Sequence, residues 1–287
     1  MRTPWRVLNA SHHGVPQNRE RLFLIGAKAG QKLPEYPQPS DGHPTCADAL
    51  DDLPNADVYQ ALVGSDEVKL PGTAWKYPSE YAREMRCLSN NAWHFGHARV
   101  WNRQLLTSSM RTDHTDISKR RFAQTVGGET EPISRFFKLP ADGLSNTLRA
   151  GTDAARGAFT SPRPIHYRFA RCVTVREMAR LHGFPDWFRL HVTKWHGARQ
   201  IGNAVAPPLA RSVGSEILKA ARYVPQVGKA PMLLGDPELL TMDMRAASEY
   251  WNVDRPIGRR DRKSGARKRS QLEIETTMLL ALGGARG

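Results

Sequence analysis

At 287 residues, with 40% hydrophobic side chains and seven tryptophans, the chain can bury a core, which excludes an intrinsically disordered protein. Its 42 Lys and Arg against 28 Asp and Glu leave a net charge of +14, a surplus that attracts a polyanion, nucleic acid first and an anionic membrane surface second. Three scattered cysteines exclude a disulfide framework or a cysteine-rich zinc site, and the absence of a long apolar run or a secretion-type N-terminus leads us to expect a soluble cytoplasmic protein.

The first 28 residues read as two strands around a basic loop. Trp5 and Val7 alternate with polar neighbours, and Leu22-Phe23-Leu24-Ile25 is a short apolar run closed by Gly26. A strand opening the chain needs a neighbouring sheet, and the sequence supplies none on its N-terminal side. From Ala27 to about residue 165 the composition is rich in Pro, Gly, Asp and Asn, with one short helix expected at Tyr77–Cys87. Brief apolar runs between glycines from Gln124 to Gly151 suggest a small irregular β-rich domain.

A punctuated helix follows at 174–182. Thr174 and Glu177 form a T-x-x-E capping box, Val175, Met178 and Leu181 share one side, Gly183 offers a left-handed exit and Pro185 stops continuation. A second helix starts near Pro207-Pro208, where Leu209, Val213 and Ile217 form an apolar stripe. Beyond Pro225 the character changes: residues 255–269 hold eight basic residues and one acid, a solvated arm suited to nucleic acid, with a short helix expected at Leu272–Leu282. The Cys87, His94 and His97 spacing matches no common metal site, and no metal is expected; the tandem His12-His13 belongs to the turn before Gly14.

Three segments, in order, resemble the C-terminal sequence blocks of the DNA cytosine-5 methyltransferases. Residues 14–26 (GVPQNRERLFLIG) resemble the eighth block, built on Gln-x-Arg-x-Arg; residues 175–186 (VREMARLHGFPD) the ninth; residues 199–210 (RQIGNAVAPPLA) the tenth. The resemblance implies an α/β fold, the C-terminal portion of a Rossmann-like S-adenosylmethionine-dependent methyltransferase with a small irregular β-rich recognition domain. The implied division is catalytic-core strands and the Gln-x-Arg-x-Arg loop at 1–28, a target-recognition domain at 29–165, helices returning to the core at 166–225, and a basic tail at 226–287.

That family flips a cytosine out of the duplex, adds a cysteine thiolate to C6 and methylates C5 from S-adenosylmethionine. By resemblance, Arg21 contacts the flipped base, Arg19 holds the pocket or backbone, and Gln17 supports the loop or touches the DNA. Gly202, Asn203 and the backbone of Ala204 face the amino-acid end of the cofactor. The recognition domain's recurrent Thr-Leu pair stands as Thr147-Leu148, beside Arg149, and is expected at the DNA. Arg176, Glu177 and Arg180 organise the junction between recognition domain and core.

The family's Pro-Cys nucleophile is not in this sequence, since Thr45, Arg86 and Arg171 precede the three cysteines. Nor does it contain Glu-Asn-Val or a glycine-rich turn after an N-terminal strand. The expectation is a C-terminal segment or subunit, nucleoid-associated, that works with duplex DNA and an N-terminal methyltransferase partner, which binds most of the cofactor. A truncated remnant and a catalytically inactive DNA-binding module remain the alternatives, and whether a restriction enzyme accompanies the activity stays open.

Overall fold

Alternation at the N-terminus produces a hairpin in which β1 (Arg6–Asn9) pairs antiparallel with β2 (Glu20–Phe23), in the register Val7 opposite Leu22 and Leu8 opposite Arg21. The computed structural model describes residues 4–89, 97–151, 163–226, 228, 230–254, 273 and 276. Between the strands, a 3-10 turn at Ala10–His13 closes on Gly14 at φ 75°, a left-handed conformation that a side chain would strain. Asn9 ties the loop shut, its Oδ1 accepting from the backbone N–H of both Ser11 and Arg19.

Because successive side chains on a strand point to opposite faces, the hairpin has two distinct sides. Leu8 and Phe23, with Ala10, Val15, Ile25 and Tyr36, pack on Leu209 and Val213 of α6 (Pro207–Ala220). On the other side, Trp5, Val7, Leu22 and Leu24 are 63%, 50%, 62% and 55% exposed. A sheet face of that composition is ordinarily covered by a further layer.

The region 29–165 is irregular, as expected, but its short elements are mostly helical. α1 (Cys46–Leu50) opens on a Thr45–Asp48 capping box, α2 (Glu80–Met85) on Ser79, and α3 (Asp116–Gln124) on Thr115. The helix expected at Tyr77–Cys87 is therefore shorter, entered at Ser79 and left through Arg86 before Cys87 turns to φ 53°. Strands here are two residues long: β3 (Val68–Lys69) pairs with β5 (Leu105–Leu106), and β4 (Arg99–Val100) runs parallel to β6 (Met232–Leu233). Across 124–151 the pairing consists of isolated bridges, such as Thr130 with Phe137 and Lys138 with Ile165.

α4 (Val175–His182) matches its sequence punctuation. Both hydrogen bonds of the Thr174–Glu177 capping box are made, and Gly183 exits at φ 85°. A Cβ at Gly183 would stand 2.5 Å from Pro208 Cδ, so glycine there also lets α6 start against the end of α4. Every residue of α4 is buried. It packs against α1 and α5 (Lys194–Asn203), and one apolar core runs from Cys46, Leu50 and Leu62 through Leu148 to Met178, Leu181 and Ile201. Residues from the 29–165 region and the α4–α5 pair thus share a core.

Downstream of α6, a 3-10 turn at Pro237–Leu240 and α7 (Met244–Trp251) carry the chain back, with Val192 N–H donating to Leu240 O at 3.0 Å. Residues 255–269 lie outside the described residues, and of the helix expected at Leu272–Leu282 only Glu273 and Thr276 are described. Among the described residues no helix is long and apolar enough to cross a membrane.

Candidate functional site

The three ordered sequence segments converge on one buried joint. The loop after Gly14 crosses residues 145–148, with Asn18 N–H donating to Ser145 O and Ser145 N–H donating to Pro16 O. That crossing buries Gln17 completely. Its amide nitrogen donates to Leu181 O at 3.2 Å and meets His182 Nδ1 at 3.0 Å, while its Oε1 accepts from Leu148 N–H at 3.2 Å.

Arg19 is the centre of the joint. At 1% exposure, its Nη1 donates to Leu148 O (2.8 Å) and its Nη2 to Gly202 O (2.8 Å) and Ala204 O (2.9 Å). One planar fork therefore holds the Thr-Leu segment and the end of α5 together. Burial, and then the charge of Arg21, bring the Arg19 pKa down to about 10, still charged at neutral pH.

His182 completes the lock. Its Nε2 lies 3.2 Å from Ala204 O, and burial followed by the Arg19 charge pushes its pKa down to about 3, so the ring is neutral. A neutral ring with an amide donor at Nδ1 carries its proton on Nε2 and donates to Ala204 O. Gly202 makes the close approach possible, because a Cβ there would fall 2.5 Å from Ala150 Cα and Arg149 C. Sequence reasoning did not single out His182 as a participant; its position as the last residue of α4, before Gly183, was the available signal.

Arg21 is half-buried on β2, donates to Glu20 O at 2.6 Å, and is close enough to act electrostatically on Arg19 and His182. Asn203 is exposed, and its amide has no hydrogen-bond partner among the described residues. The backbone of Ala204 is engaged within the protein: its N–H closes α5 on Gln200 O and Ile201 O, and its carbonyl takes Arg19 and His182. Thr147 spends its hydroxyl on Asn18 O (2.7 Å) and Leu148 is 1% exposed in the core, so within this triplet Arg149 alone faces out with no partner among the described residues.

Beneath the joint lies a set of buried ion pairs on α4. Arg180 grips Asp186 (2.6 and 2.8 Å) and Asp52 (3.0 Å); burial opposes its charge, but the two carboxylates hold its pKa above the ordinary arginine value. Arg171 makes a two-pronged pair with Glu177, both contacts 2.8 Å. Burial raises the Glu177 carboxyl, yet Arg171 and the Thr174 N–H outweigh it and bring the pKa down to about 2. Arg176 donates to Thr107 Oγ1 (2.9 Å) and Phe188 O (2.9 Å), joining α4 to β5's exit.

None of the cysteines is poised as a nucleophile. Cys46, Cys87 and Cys172 are buried free thiols, and burial raises their pKa values to about 12, 11 and 11. No group of His, Cys, Asp and Glu suited to a metal occurs among the described residues, and His94 of the spacing noted above lies outside them.

A family model described as C-5 cytosine-specific DNA methylase matches residues 2–219. The chain is 47% identical over 278 residues to the type II methyltransferase M.XorII of Xanthomonas oryzae pv. oryzae, covering 96% of this chain and 65% of that protein. It is 28% identical to M.AgeI of Thalassovita gelatinovora, over 75% of this chain and 65% of the relative. DNA (cytosine-5)-methyltransferase 1 of Rattus norvegicus is 27% identical over 83% of this chain and 20% of its own length. The chain thus spans just under two thirds of M.XorII and M.AgeI. A crystal structure described as a DNA modification methyltransferase encoded within an E. coli prophage superposes with a TM-score of 0.54 and 26% identity, covering 77% of this chain and 61% of that one.

Proposed function

From the premise that the chain belongs to the C-5 cytosine-specific DNA methylase family, we propose that residues 1–287 form the C-terminal portion of an enzyme methylating C5 of cytosine in a short duplex site. In this reading the chain supplies sequence recognition, one wall of the target-base pocket and one edge of the cofactor site. The thiolate and most of the cofactor-binding sheet come from an N-terminal portion, as a segment or a separate subunit.

The observation that carries the proposal is the joint itself. Arg19 and His182 lock the Gln-x-Arg-x-Arg loop, the Thr-Leu segment and the end of α5 into one unit, with Arg21 at its margin. Recognition loops held rigidly to the catalytic face let binding energy from base contacts be used in positioning the target base. Two further features fit. The three thiols are buried and protonated, unlike a nucleophile that must ionise. The exposed strip of Trp5, Val7, Leu22 and Leu24 matches a sheet face awaiting the layers of a larger α/β domain.

S-adenosylmethionine, which supplies an electrophilic methyl group when bound, fits this chain at one point. The exposed Asn203 amide is free to donate to its carboxylate, and Gly202 keeps the turn narrow enough to place that amide beside the joint. Ala204, with its N–H and carbonyl already used, holds the turn in shape. Arg21 supplies positive charge at the flipped base, holding it and stabilising charge that develops on the ring. Arg149 reaches the DNA.

Arg21→Ala tests the assignment. Methyl transfer by the assembled enzyme is expected to fall at least about a hundredfold, with association of the two portions unchanged. Unchanged turnover would remove Arg21 from the site.

A further inference from the structure

Away from the joint, the start of α5 meets the recognition region in a concentration of positive charge. Lys194, the first residue of α5, donates from Nζ to Arg111 O (3.1 Å) and Thr112 Oγ1 (3.3 Å). Arg163 donates from Nη2 to the same Thr112 Oγ1 at 3.0 Å. Two cations thus share one hydroxyl oxygen as acceptor, leaving the Thr112 proton directed elsewhere, as a third donor.

Little compensates this charge. Among the described residues no carboxylate pairs with Lys194 or Arg163. The carboxylate of Asp113 lies 3.9 Å from Arg111, is 60% exposed and sits nearer Lys119, at 3.2 Å. The Nε atoms of Arg111 and Arg163 are buried without a hydrogen-bond partner, although Arg111 Nη2 reaches Gln60 Oε1 at 3.0 Å. Thr193, preceding α5, gives no side-chain cap, so the positive end of this ten-residue helix adds to the field. Neighbouring groups register it: His114 is driven down to about 4 by burial and then by Arg163 and Lys194, and Lys194 is itself lowered by burial and Arg163.

Like charges held this close without an acid destabilise the fold unless an anion is their partner in the working state. Thr112, Arg163 and Lys194 are each half-buried, so none of the three is sealed from solvent. Resting on the DNA-binding reading above, we infer that Thr112, Arg163, Lys194 and the uncapped end of α5 form a binding site for one phosphodiester of the DNA backbone. Two charged donors, a hydroxyl and a helix N-terminus are the groups that grip a phosphate without reading sequence. The contact anchors the recognition region and α5 to the same strand, setting the register from which base contacts are made.

The test is fluorescence anisotropy of a short labelled duplex with the 287-residue chain, titrated between about 50 and 200 mM salt. Compared are the wild type, Lys194→Gln, Lys194→Arg, Thr112→Val and, as a charge control on α6, Lys219→Gln, each checked for an unchanged thermal unfolding transition. Lys194→Gln is expected to weaken binding equally on different sequences and to make the slope of log K against log salt shallower by about one. Lys194→Arg and Lys219→Gln keep the wild-type slope, and Thr112→Val weakens binding without changing the slope. Equal slopes for Lys194→Gln and wild type, or the same change in Lys219→Gln, overturn the phosphate site. No salt-dependent duplex binding by the wild type overturns the DNA-binding reading itself.

Discussion

Arg19→Ala is expected to destabilise the chain by about 3 kcal/mol and to lower methyl transfer by the assembled enzyme more than a hundredfold. The guanidinium serves three carbonyls. Leu148 O and Gly202 O have no other side-chain donor among the described residues, while Ala204 O retains His182. Each buried acceptor left unsatisfied costs about 1–3 kcal/mol, and relief of the buried charge offsets part of the sum. The expected activity loss has a separate origin, because freeing the end of α5 from the Thr-Leu segment lets the Asn203 turn and the Thr147-Leu148 segment move independently. Arg19→Lys discriminates between the two effects. An ammonium keeps the charge but not the planar fork, so it should recover part of the stability and little of the rate. Full recovery of the rate by lysine would mean that charge, not geometry, is what Arg19 contributes.

The second large effect is at Arg180. Arg180→Ala strips Asp186 and Asp52 of their nearest cation, leaves each buried carboxylate with a more distant one, and should cost about 3–5 kcal/mol, read as the shift of a urea unfolding curve. Asp52 keeps Arg86 at 3.4 Å whereas Asp186 keeps Arg176 only at 3.9 Å, which is why Asp186 carries most of the loss. The triple variant Arg180→Met, Asp52→Asn, Asp186→Asn removes all three charges together and should regain most of the stability. A triple variant as unstable as Arg180→Ala would show that the ion network does more than neutralise itself.

How far the sequence could be read follows the range of each interaction. The α4 boundaries were legible because Thr174, Glu177 and Gly183 act within a few residues of one another. The same holds for the start of α6 at its paired prolines. α5 was not foreseen, since Gly197 and Gly202 interrupt its pattern and no side chain caps it; packing of Ala198 and Ile201 into the core sustains it instead. α1 and α3 carry local caps at Thr45 and Thr115, but the surrounding prolines and glycines masked them as loop.

The joint shows the limit most clearly. The resemblance marked Gln17, Arg19 and Gly202, yet what they do depends on contacts across well over one hundred residues of sequence, from Gln17 to Leu148 and His182 and from Arg19 to Gly202. Likewise, alternation at Trp5 and Val7 indicated a strand but not which face was open. In the proposed reading, that face and the protonated thiols mark what an N-terminal portion would bring.

The most direct measurement is transfer of labelled methyl groups from S-adenosylmethionine to duplex DNA, by residues 1–287 alone and with an N-terminal fragment carrying Pro-Cys, Glu-Asn-Val and the glycine-rich turn. Labelled 5-methylcytosine is expected only in the mixture. Transfer by residues 1–287 alone, or a mixture that binds duplex DNA and transfers nothing, would contradict that expectation.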